Sequence, residues 1–193
     1  MTGRTHDTAA LTALGLAVVL FPLPSVTLAT ALISLLANQI GGITPDIDQP
    51  TAPFWRNLPI GRFFGRFADR LLGGHRFLTH SLLGVGLFAF GANWLLIFIH
   101  PLMPNVDIHL VWWAFVIGLV SHLIMDTFTK EGVPWLLPIP IKFGIPPIRA
   151  LRMTTGKSLE NFVVFPSLIV VNIILCAQYY PQIVQFIRTR VGS

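Results

Sequence analysis

Charge is what this sequence has least of. Asp, Glu, Lys and Arg make up 11% of its 193 residues, where a soluble domain carries about a quarter. With 53% hydrophobic residues and a mean hydropathy of +0.71, that scarcity excludes a soluble globular domain and places the chain in a membrane. Cysteine is nearly absent too. The single Cys176 lies in an apolar run, so neither an internal disulfide nor a thiolate zinc motif can form. It reads as a small hydrophobe within a helix. No nucleic-acid motif is present. The excess of 13 Lys+Arg over 8 Asp+Glu is accounted for by inside-positive topology and anionic headgroups, not by nucleic acid.

What is present is a series of apolar runs, which predict one all-α domain over residues 1–193: a polytopic bundle of about five membrane-embedded helices. Asp7 or Thr8 caps a first helix from Ala9 to Phe21, broken by Pro22-Leu23-Pro24-Ser25. A second runs from Val26 to Ile40 and ends at Gly41-Gly42. Each is only about 20–23 Å long at 1.5 Å per residue, so the pair either spans as a thin or tilted hairpin or re-enters. Ala29-Thr30-Ala31 has the small-residue pattern of a signal cleavage site, but the apolar pattern continues past it, and the N-terminus is kept.

Arg62, Arg66 and Arg70 recur beside Phe63, Phe64 and Phe67 as an amphipathic interfacial helix. Leu82 to Ile99 spans, with Gly84, Gly86 and Gly91 permitting close packing. The loop from His100 to His109 has no Lys or Arg, and Leu110 to Met125 returns. Thr127 to Ser158 is a Pro- and Gly-rich loop, and Phe162 to Tyr180 is the last span. With the N-terminus inside, 11 of the 13 basic residues fall on inner segments, which predicts a cytoplasmic N-terminus.

The polar islands all fall on that same face. They are His6; Asp46 and Asp48 after Thr44-Pro45; His75 and His80 around Arg76 and Thr79; and Ser121-His122 with Asp126. Each has a structural alternative. His75 and His80 can be interfacial residues at a helix start capped by Thr79 or Ser81, and Asp46 can be a turn residue. His122 can bond a carbonyl and Asp126 an arginine. Yet His122 and Asp126 share a helix face, and ionisable groups at that depth are costly.

Together His6, Asp46, Asp48, His75, His80, His122 and Asp126 make a surplus of nitrogen and oxygen ligands. That suits two divalent ions with a bridging carboxylate, zinc first and manganese as the alternative. Paired ions suit displacement at phosphorus. His100 and His109 lie at the other face and are left out. Glu160 either stabilises a helix N-terminus or serves as a further ligand or general base.

These motifs together (the early His, Thr44-Pro45-Asp46-Ile47-Asp48, His75-Arg76-Phe77-Leu78-Thr79-His80-Ser81 and Ser121-His122-x-x-x-Asp126) resemble the YdjM-like family. That family is described as LexA-regulated, inner-membrane, metal-dependent hydrolases, distantly similar to the zinc phospholipase C and P1 nuclease group. Thr127 to Pro138 and Gly156 to Glu160 look like its later motifs. The resemblance implies a bacterial inner-membrane protein in which His122, Asp126 and His6 match that group's ligands. The expected activity is a phospholipase C-like hydrolase that cleaves a lipid phosphoester at the cytoplasmic leaflet with metal-activated water. Arg76, Arg149 and Lys157 would hold the phosphate, with Glu160 or Asp48 as base. The alternative is a non-enzymatic metal-binding membrane protein or transporter.

Overall fold

The computed structural model describes residues 1–21, 26–52, 55, 59, 61–71, 76–139 and 141–191. The expectations placed on His75, on residues 22–25 and on the side chains of Arg62 and Phe64 lie outside these. In chain order come α1 (Gly3–Leu20), α2 (Leu28–Ile43), a 3-10 turn (Thr44–Asp48), α3 (Gly61–Leu71), α4 (Leu82–Ile99) and α5 (Ile108–Thr127). A π-turn (Glu160–Val164) then leads into α6 (Phe165–Gln178) and α7 (Tyr180–Val191). Among the described residues there is no strand, only isolated bridges in the loop after α5.

Among the described residues four stretches are long and apolar enough to cross a membrane: Leu28–Asp48, Leu82–Leu102, Ile108–Thr127 and Glu160–Gln178. The polar start of α1 keeps that helix out of the set, and it packs against α2, α5 and α6 as the fifth member of the bundle. The architecture is all-helical, as composition and periodicity predict.

The first helix begins at Gly3, not Ala9. Thr2 is extended and ends the run, while Thr8 and Thr12 return their hydroxyls to the carbonyls of Arg4 and Thr8. Asp7 and Thr8 are therefore inside the helix and cap nothing, and His6 becomes a helical residue on the buried face. At α4, Ser81 is the cap, accepting from the Gly84 amide at 3.0 Å.

The centre of the fold is the crossing of α2 and α5, the most extensive helix contact. Lipid provides no hydrophobic drive between helices, so small residues that let backbones touch decide such crossings. A Cβ on Gly118 would lie 2.1 Å from the Asn38 carbonyl oxygen, and one on Gly41 2.1 Å from that of Phe115. Gly41 and Gly42 were expected to end α2; instead the helix runs through them, and they form its contact surface. Asn38 donates across the crossing to the Ala114 carbonyl at 3.0 Å. In α4 only Gly84 makes a close approach, to Leu78. Gly86 and Gly91 face nothing within 4 Å, contrary to the packing role expected of them. Exposed Phe90, Trp94 and Phe98 leave that helix facing lipid.

Candidate metal centre

The crossing carries the 3-10 turn at the end of α2 to the final turn of α5. His122 and Asp126 project from one face of α5, and both are fully buried. His6 comes in from α1, its ring stacked on His122 with centroids 3.6 Å apart. Its Nε2 lies 3.2 Å from Asp126 Oδ1. His80 enters just before α4, edge-on to His122 with centroids 5.2 Å apart.

Four ligand atoms then close a ring. His122 Nε2 is 3.6 Å from Asp46 Oδ1, which is 3.9 Å from His80 Nε2. His80 Nε2 is 3.6 Å from Asp126 Oδ2, and that oxygen is 3.9 Å from His122 Nε2. These separations are too long for hydrogen bonds. Within the Asp46, His80 and His122 trio, whose ligand atoms all lie within 4.8 Å of one another, they approach the spacing of about 3.4 Å between ligands that each sit about 2.1 Å from a tetrahedral ion.

The donor set fits a divalent cation. Among the described residues two groups could hold one, His6 with His122 and Asp126, and Asp46 with His80 and His122. Nδ1 of His6 and Nε2 of His122 are buried without a hydrogen-bond partner, and His6 Nε2 has Asp126 Oδ1 beside it. Such groups cost about 1–3 kcal/mol each when nothing satisfies them.

The surroundings orient the ligands. His122 Nδ1 sits 2.6 Å from the Gly42 carbonyl, so it carries the proton and leaves the Nε2 lone pair facing the ring. His80 Nδ1 lies 2.8 Å from Thr79 Oγ1, whose hydroxyl donates to Asp48. Asp48 also accepts from the Arg76 amide at 2.9 Å. Among the described residues Asp48 belongs to neither candidate group, and its observed work is to orient His80 through Thr79. Thr79, expected only as a possible cap, is thus a connector that spacing alone did not reveal. Replacing it by valine removes that link. The expected loss is about 10–100-fold in metal affinity, with Thr79→Ser near wild type, read by chelator competition.

Arg76 is buried and holds a left-handed backbone (φ 59°), a conformation that costs a non-glycine residue about 1–2 kcal/mol. Its guanidinium reaches Asp126 Oδ2 at 2.6 Å, Thr129 Oγ1 at 2.8 Å and Glu131 Oε2 at 3.3 Å. Only the forked head of arginine can serve three such acceptors at once. The Met1 amino nitrogen rests on Asp126 Oδ1. The two structural alternatives for α5, a carbonyl bond for His122 and an arginine for Asp126, are both realised and coexist with the ligand geometry.

The remaining expected residues lie elsewhere. Glu160 is buried, but its oxygens accept from the Thr2 amide, the Thr2 and Thr5 hydroxyls and the Gly156 amide, each at 2.7 Å. It ties α1 to the π-turn and is in neither ligand group. Lys157 is exposed near that turn. Arg149 is exposed in the loop after α5 and donates to the Lys130 carbonyl at 3.1 Å. His109 opens α5 at the end opposite Asp126, and His100 follows α4 there, away from the cluster.

Residues 1–184 match the family described as YdjM inner membrane protein. A Bacillus subtilis (strain 168) protein named Uncharacterized protein YvsG is 28% identical over 163 residues, covering 84% of this chain and 87% of that protein. Inner membrane protein YdjM of Escherichia coli (strain K12) is 33% identical over 126 residues, 63% of this chain and 56% of its own length. The Shigella flexneri protein of the same name matches to the same extent. No solved structure matches. The chain is a membrane protein and belongs to the YdjM inner membrane protein family.

Proposed function

We propose that this protein is a metal-dependent membrane hydrolase acting on a phosphoester of a lipid at the cytoplasmic leaflet. The observation that carries the reading is the ring of His80, His122, Asp46 and Asp126, gathered where the C-terminal ends of α2 and α5 meet, beside the guanidinium of Arg76. Nitrogen and oxygen ligands without thiolate favour zinc, with manganese as the alternative. A divalent ion held there supplies Lewis acidity toward a phosphoryl oxygen and lowers the pKa of water.

The residues divide the work. His122 has one lone pair for the ring, because Nδ1 is committed to Gly42, so it can serve only one ion. Asp126 is the carboxylate suited to bridge a second, since Oδ1 faces His6 while Oδ2 faces His80 and His122. Asp46 is the one acid of the ring with an exposed portion, 21% of its side chain, and borders the approach. Arg76 places positive charge where phosphate oxygens would arrive. Of the two acids expected as bases, Glu160 is occupied by four donors, whereas Asp48 reaches the ring through Thr79 and His80.

The test is metal content by mass spectrometry on detergent-purified protein, together with phosphate-ester release from phospholipid micelles. Wild type is expected to hold near-stoichiometric zinc or manganese and to turn over. His80→Ala is expected to lose the metal and to slow turnover by at least about 100-fold. Turnover unaffected by chelation or by His80→Ala sinks the proposal. Metal flux into proteoliposomes without turnover selects the transporter instead.

A further inference from the structure

We propose that the loop joining α5 to the π-turn seats the headgroup of an anionic phospholipid between Lys130, Lys142, Arg149 and Arg152. These four cations and Glu131 line a cleft of about 390 Å³. Among the described residues Lys130 and Lys142 enter no ion pair. Glu131, the one acid, is engaged by Arg76 Nε at 3.3 Å. The cleft therefore keeps a surplus of positive charge, and its only carboxylate leads directly to the guanidinium that holds Asp126.

The loop backbone is pinned, which makes the cleft a built feature. Val133 and Phe143 exchange amide–carbonyl bonds at 2.8 and 2.9 Å, the Lys130 amide donates to Met153 at 2.9 Å, and the Ile145 amide donates to Thr127 at 2.9 Å. Arg152 is fixed by bonds to the Pro146 and Pro147 carbonyls at 2.7 and 2.9 Å. Its guanidinium lies across Gly144, where a Cβ would come within 2.2 Å of Nη1.

Lipid, not free phosphate, is indicated by what surrounds the cations. Leu136, Ile139, Ile141, Ile145, Ile148 and Leu151 are 48–66% exposed on this loop, which lies outside the candidate spans. Apolar side chains turned outward from a pinned backbone, interleaved with lysine and arginine, match a segment set into the headgroup boundary. The apolar groups meet acyl chains and the cations sit at phosphate depth. The role of this seat in presenting substrate to the His/Asp ring rests on the hydrolase reading above. Lipid retention does not, so the experiment reads retention.

Full-length protein in detergent would be titrated with phosphatidylglycerol or phosphatidylcholine of equal chain length, and bound lipid counted by native mass spectrometry. Wild type should retain phosphatidylglycerol preferentially. Lys130→Gln combined with Lys142→Gln, both exposed positions, should weaken that retention on the order of tenfold, with unchanged metal content and melting temperature. Arg188→Gln in the tail should change nothing. Equal retention of the two lipids by wild type, or an unaltered preference in the double variant, would overturn the seat. Displacement of phosphatidylglycerol by inorganic phosphate at equal concentration would overturn its assignment to lipid. A double variant that loses retention yet keeps its metal and its turnover of micellar substrate confirms the seat while leaving the hydrolase reading intact.

Discussion

Asp126→Ala is expected to release bound metal and to destabilise the protein by about 3–5 kcal/mol, the cost of leaving buried charges without their counter-charge. The carboxylate is the meeting point of the Arg76 guanidinium, the Met1 amine and His6, and it contributes Oδ2 to the ligand ring. Its loss leaves a buried cation opposite a void. Asp126→Asn keeps the volume and should lose metal equally, with a smaller loss from packing. His109→Ala, at the far end of α5, should behave as wild type. Thermal unfolding in detergent followed by tryptophan fluorescence, with metal quantified on the same samples, provides the check. An Asp126→Ala protein that melts normally with its metal retained would refute this account of the centre.

Gly118→Leu is expected to be as damaging although it removes no ligand. A Cβ there would lie 2.1 Å from the Asn38 carbonyl oxygen and 2.8 Å from the Gly42 amide nitrogen. Both are backbone atoms that cannot rotate aside, so α2 and α5 must separate. Separation strains the Asn38–Ala114 and His122–Gly42 bonds and withdraws Asp46 from His122. We expect a loss of about 3 kcal/mol or more, accompanied by metal release. Gly86→Leu supplies the matched comparison, because that position faces nothing within 4 Å. If both variants melt alike and bind metal alike, the crossing does not hold the site.

Much of this architecture is legible in the sequence. Apolar runs and sparse charge define the spans because the requirement for some twenty lipid-compatible residues is local to each helix. The helical spacing of His122 and Asp126 placed both on one face for the same reason. Arg76 and His80 could be singled out, since buried polar groups in such a chain are too costly to be incidental.

Other assignments depended on contacts between distant segments. His6 joins the centre because α1 starts at Gly3, which the sequence pattern around Asp7 and Thr8 did not indicate. Asp46, not Asp48, turns toward His122, while Asp48 faces Thr79 and the Arg76 amide. Two carboxylates two residues apart look equivalent until a turn aims them. Glu160 was drawn to Thr2 and Thr5 by donors far from it in sequence.

By itself, then, the sequence determined the membrane class and the apolar spans, and named His6, Asp46, His80, His122 and Asp126 as candidate ligands, from local composition, period and residue chemistry. Only the tertiary structure decided which atoms meet. Ligand separations of 3.6–3.9 Å arise from the glycine-mediated approach of α2 to α5, a long-range contact that no local pattern encodes.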